Sequence, residues 1–193
     1  VRLTAKGETT EQAHRLIAEL EPKIRERIDE FVFGTDDQTL EQVVGAALTG
    51  KGFTIALAES CTGGGVSSRL TDMPGSSAYL KGSVVCYSNE IKIDVVGVPA
   101  ATIAARGAVS TETAIAMAEG IRRRFGTTIG VGITGIAGPG GGTDEKPVGL
   151  VYIAVAGPNG TVVEEERFSG QRSGIRTRAA NAALNLIRCY LKN

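Results

Sequence analysis

Tryptophan is absent from this chain, histidine occurs once, and five phenylalanines and four tyrosines make up the other aromatics. So few aromatics argue against a base-stacking platform for single-stranded nucleic acid. The one histidine, His14, lies in a polar, helix-like segment far upstream of the main body. The main body therefore has no histidine with which to build a Ser-His or Cys-His pair. Net charge is also lacking: 21 basic side chains face 21 acidic ones. No global field draws in DNA, RNA or anionic lipid, and no nucleic-acid partner is expected. The three cysteines, Cys61, Cys86 and Cys189, have neither pairing motifs nor metal-ligand spacing. They suit reduced thiols in a cytoplasm. No run of about 18 apolar residues is present, so no membrane span is expected. The first 30 residues are polar and charged, unlike a secretory leader. The chain opens on Val1, which suits a piece of something longer.

Glycine is plentiful, with 26 residues, and it clusters rather than repeats. A length of 193 residues suits one ordinary domain with an appendage. "VRLTAKG" alternates like a short strand, Thr9 and Gln12 form a capping box, and an amphipathic helix interrupted by Pro22 follows. "FVFG" reads as a second short strand. This β-α-β piece has too little apolar surface to stand alone. The polar stretch "GTDDQ", 34–38, places the domain boundary, giving a remnant over 1–38 and a main domain over 39–193.

In the main domain, Thr39 and Gln42 open a helix, and "FTIALAES" (53–60) and "SVVCYS" (83–88) read as buried strands. Glycines 63–65 turn the first of these into a helix. Asn89 caps a helix from Glu90, and residues 110–126 form a long helix ending in three arginines. "TTIGVGIT" is a third strand, residues 135–147 a long glycine loop, and Pro158-Asn159-Gly160 joins a hairpin before a closing helix. The alternation predicts an α/β fold: a layered α/β/α domain with a mixed sheet, whose last hairpin is antiparallel.

Three stretches carry candidate chemistry. "ESCTGGG" sits where a strand becomes a helix, the edge at which open α/β sheets bind ligands. It is equally readable as a tight turn whose small polar residues cap the helix. "GITGIAGPGGGTDEKPVG" (132–149) is longer than an ordinary connection, and its backbone N–H groups can approach a phosphate or carboxamide closely. In "CYSNEIK", Lys92 falls in the first turn of a helix, where the dipole and partial burial both disfavour an ammonium. A neutral lysine can deprotonate a serine, and Tyr87 can assist. A solvated lysine beside Glu90 is the competing reading. "PGSSAY" places Ser76 and Ser77 on a turn, and Arg172 follows a strand, where a guanidinium suits a phosphate fork.

The order "AESCTGG", "PGSSAY", "YSNEIK", "GAVS", "TGIAGPGGGTDEKPVG", "FSG" resembles the C-terminal domain of the CinA (competence/damage-inducible) family, over about residues 39–191. That family includes the bacterial nicotinamide-mononucleotide amidohydrolases. Residues 1–34 resemble the end of the small linker domain that precedes this unit in longer members. The resemblance implies hydrolysis of the nicotinamide mononucleotide carboxamide to nicotinic acid mononucleotide and ammonia. It implies Ser77 as nucleophile, Lys92 as base and Tyr87 as its helper. Ser60, Thr134, Gly135, Gly138, Gly140, Gly141 and Arg172 would contact substrate. No metal and no cofactor is implied. The partner would be a small nucleotide, and a homodimer is the default assembly. The competing class is a non-catalytic module that binds nucleotides or a protein partner within a larger protein.

Overall fold

The computed structural model describes residues 1–192. The chain divides into two compact units, Val1–Gln38 and the residues from Thr39 onward. In the first unit, helix α1 (Thr10–Ile28) is capped by Thr9, whose hydroxyl accepts from the Gln12 N–H, and a single 3₁₀ turn, Asp29–Phe31, follows. The two flanking strands expected from the sequence do not form: residues 1–7 and 32–34 lie outside any ladder. A strand exists only through its partner, and two short segments alone make a marginal pair. Helix α1 buries no residue.

The second unit is a five-stranded mixed sheet between helices. Its elements are α2 (Leu40–Lys51), β1 (Ile55–Glu59), α3 (Gly65–Thr71), β2 (Leu80–Val85), α4 (Asn89–Asp94), α5 (Ala100–Arg106), α6 (Thr111–Phe125), β3 (Ile129–Gly135), β4 (Leu150–Gly157), β5 (Gly160–Arg167) and α7 (Arg172–Lys192). The sheet order is β2-β1-β3-β4-β5. Strand β1 runs parallel to β2 and β3, while β4 and β5 are antiparallel additions. Thr39 and Gln42 close the capping box of α2 in both directions.

The period-2 pattern of the strands explains the layering. Ile55, Leu57, Ile129, Val131, Ile133, Val151, Ile153 and Val155 belong to one large core with residues of α2, α3 and α7. The alternate positions, Ala56, Ala58, Gly130, Gly132, Ala154 and Ala156, are small. Helix α6 packs on that small face through Ala114, Met117, Ala118 and Ile121. The approach is close enough that a Cβ added at Gly130 would collide with the Ala118 carbonyl.

This layering also fixes where the chain reverses. After β1 it passes through α3 on one face to reach β2. After β2 it returns through α4, α5 and α6 on the other face to β3, on the far side of β1. The carboxyl end of β1 is thus a topological switch point, where a crevice opens in α/β sheets. Ser60 is the first residue beyond it.

Candidate active site

A cavity of about 220 Å³ lies at the carboxyl ends of the parallel strands. Ser60, Cys61, Tyr87, Asn89, Lys92, Ala108, Val109, Thr134, Gly135, Ala137 and Arg172 line it. Ser60 is held by its own N–H, which donates to the Ile133 carbonyl at 2.9 Å. The turn that follows runs through Gly63 and Gly64, both at positive φ, 62° and 88°. Side chains other than glycine rarely adopt that conformation, so the turn requires this pair. Below the turn Glu59, fully buried, accepts from the N–H groups of Val66 and Ser67 at 3.1 and 2.9 Å. Its carboxylate satisfies the orphan donors at the start of α3 and pins the turn carrying Ser60.

Lys92 reaches the same point from α4. That helix is capped by Ser88, one residue earlier than expected, with Asn89 as its first residue. Lys92 is 2 % exposed and is among the largest fully buried side chains. Its Nζ lies 2.8 Å from the Cys86 carbonyl, 3.4 Å from the Tyr87 carbonyl and 3.2 Å from Ser60 Oγ. Among the described residues no carboxylate bonds to it. Burial holds its pKa below the usual lysine value of 10.5. Nζ donates to all three oxygens as placed, the set an ammonium fills. In the neutral amine, which burial favours, the two carbonyls take the two N–H bonds and the lone pair faces the Ser60 hydroxyl.

The side chains of two predicted residues, Ser77 and Tyr87, do not reach Lys92 in this structure. Ser77 does not meet Lys92. It is exposed, in the 3₁₀ turn Ser76–Ala78 before β2, whereas Lys92 follows the carboxyl end of that strand. The length of β2 separates them, on the order of 15–20 Å at about 3.3 Å per residue. Only the Ser77 carbonyl has a side-chain partner, the Lys81 amine. Tyr87 does line the cavity, but its hydroxyl accepts from Arg172 Nη2 at 2.9 Å and only its backbone carbonyl meets Lys92.

The remaining candidates divide by position. Thr134 and Gly135 are in the cavity wall, with the Thr134 hydroxyl donating to the Ala108 carbonyl at 2.7 Å. Gly138 reaches the rim through its carbonyl, which accepts from Arg172 Nη1 at 2.7 Å. Gly140 and Gly141 are exposed and do not line the cavity. Cys61 lines it beside Ser60, yet burial pushes its thiol up to about 12 and so keeps it protonated and unreactive. Burial likewise raises Cys86 to about 11. Sequence reasoning did not single out Ala108 or Val109 as cavity wall. Their "GAVS" stretch was the available signal.

Family and fold are shown by likeness to known proteins. Residues 37–191 match the model of the CinA C-terminal domain, and residues 1–34 match that of the damage-inducible protein CinA KH domain. The chain belongs to the CinA family. It is 50 % identical over 192 residues to a competence-damage inducible protein of Desulforamulus reducens, covering 100 % of this chain and 46 % of that relative. It is 52 % identical over 187 residues to one of Moorella thermoacetica, covering 97 % and 45 %. The chain thus spans about half the length of these curated CinA relatives. Among solved structures, the competence/damage inducible protein CihA from Agrobacterium tumefaciens superposes with a TM-score of 0.78 at 39 % identity, covering 84 % of this chain and 99 % of that one. A competence damage-inducible protein from Klebsiella pneumoniae gives 0.77 at 32 %, covering 80 % and 96 %. The CinA C-terminal fold is therefore the fold of the second unit.

Proposed function

We propose that this CinA C-terminal domain hydrolyses the carboxamide of nicotinamide mononucleotide to nicotinic acid mononucleotide and ammonia, with Ser60 as nucleophile and Lys92 as its base. One observation carries the reading: a buried lysine without a carboxylate partner, its Nζ 3.2 Å from a serine hydroxyl in the wall of a cavity. Neutral Lys92 takes the Ser60 proton as Oγ adds to the carboxamide carbon. The resulting ammonium gives that proton to the departing nitrogen as the C–N bond breaks, leaving an acyl ester on Ser60 and free ammonia. Water then adds to the ester, Lys92 again taking a proton and returning it to Ser60 Oγ. The substrate class rests on the family resemblance, supported by the place of Arg172. Its guanidinium ties Tyr87 to Gly138 at the cavity rim and suits a phosphate left outside.

The experiment is ammonia release from nicotinamide mononucleotide by the purified chain and two serine variants. Ser60→Ala should lose on the order of a thousandfold in kcat/KM, the scale of a lost nucleophile. Ser77→Ala should keep most of the activity. The reverse ranking returns the nucleophile to Ser77, and no release by the wild type removes the amidase reading.

A further inference from the structure

Between α5 and α6 the backbone carbonyls of four consecutive residues are all bound by side chains. Lys146 Nζ donates to Arg106 O at 2.6 Å and to Val109 O at 2.7 Å. The Ser110 and Thr113 hydroxyls donate to Gly107 O at 3.2 and 2.8 Å. The Thr134 hydroxyl donates to Ala108 O at 2.7 Å. A planar trans peptide points its C=O and its N–H in opposite directions. Fixing these carbonyls therefore fixes the N–H groups of Ala108, Val109 and Ser110. Among the described residues none of those three N–H groups has a partner within the protein. Ala108 and Val109 line the cavity that holds Ser60 and Lys92. Ala108 and Val109 are half-buried, so N–H groups without a protein partner there are open to water or to an acceptor that enters the cavity.

We infer that the backbone N–H groups of Ala108 and Val109 receive the carbonyl oxygen of the substrate amide and the negative charge it gains when Ser60 adds. Lys146 and Thr134 are positioning residues that hold these peptide planes in place. The assignment rests on the amidase reading. It explains why Lys146, on the glycine loop, reaches across to a segment 37 and 40 residues away instead of into solvent. Donors fixed before the charge develops need no reorganisation during the reaction, and losing one such donor costs about 10²–10³ in kcat. A donor that is displaced but kept costs part of that.

The test uses Lys146→Met and Thr134→Val, which remove the clamping donors, and Lys146→Arg, which retains them. With nicotinamide mononucleotide, the first two should lower kcat about tenfold or more with KM changed less than about threefold. The acid limb of the pH profile, set by Lys92, should not move, and Lys146→Arg should keep most of the rate. A separate readout needs no turnover. Nicotinamide mononucleotide bound to Ser60→Ala should slow hydrogen exchange at the Ala108 and Val109 amides. Unchanged kcat in both clamp variants, or unprotected amides in the complex, overturns the inference while leaving the amidase reading intact. A raised KM for the nucleotide with an unaffected riboside assigns the cradle to phosphate and overturns it too. If the wild type releases no ammonia, both readings fall together.

Discussion

At the scale of single residues, Lys92 sets the chemistry and its pH dependence. The base must be neutral, and burial lowers its pKa from the lysine value of 10.5. Activity should therefore rise with pH through that lowered value, and a kcat/KM profile should show an acid limb well short of where a solvated lysine titrates. Lys92→Arg keeps a cation that cannot deprotonate and should be nearly inactive at every pH. Stability has the same sign. Between the lowered folded value and 10.5 the unfolded chain holds more protons than the folded one, so this residue's contribution to stability improves as pH rises in that window. Lys92→Met should raise the melting temperature near neutral pH by about 2 °C or more while removing activity, because a buried amine gives way to an apolar side chain of similar length. A fall in melting temperature would show that the two carbonyl bonds outweigh the cost of burial. In the sequence, the helix position of Lys92 was legible, but its partner was not. "ESCTGGG" and "PGSSAY" both offer serines on turns beside β-strands. Only the parallel pairing of β1 with β2 puts the first at the lysine's end of the sheet and the second at the other end.

At the scale of elements, most of the second unit was readable because its central strands are short apolar runs bounded by turn and capping residues. Ile-Ala-Leu-Ala in β1 and Ile-Gly-Val-Gly-Ile in β3 mark two faces, and the capping residues Thr39 and Ser110 mark helix starts. The start of β2 was placed three residues late, since "LKG" carries no apolar run and becomes strand only by pairing with β1. The strands expected beside α1 failed for the complementary reason: apolar alternation was present without a partner. Helix α6 supplies the element-scale prediction. Gly130→Ala should destabilise the protein by about 2 kcal/mol or more, because the new methyl meets the backbone oxygen of Ala118, which cannot swing aside. Ile129→Val, one residue away on the other face, should cost about 1 kcal/mol. Urea titrations of the two variants should rank them in that order. Equal costs would mean that α6 slides to make room.

At the scale of the molecule, every residue lining the candidate active site lies in the unit that begins at Thr39, and that unit has its own core. A chain starting at Thr39 should release ammonia from nicotinamide mononucleotide with kcat/KM within about twofold of the longer chain. A loss beyond about tenfold would mean that residues 1–38 support the site. The sheet within that unit has a further consequence, for how such a protein can change over generations. Positions on the branched face trade volume with side chains from three helices, so a library there should recover many viable swaps of similar size. Positions on the small face are bounded by the backbone of α6, and a substitution there has no neighbour that can shrink to compensate. Drift in this domain should therefore be one-sided, with one face of the sheet free to be rewritten and the other held near its smallest side chains.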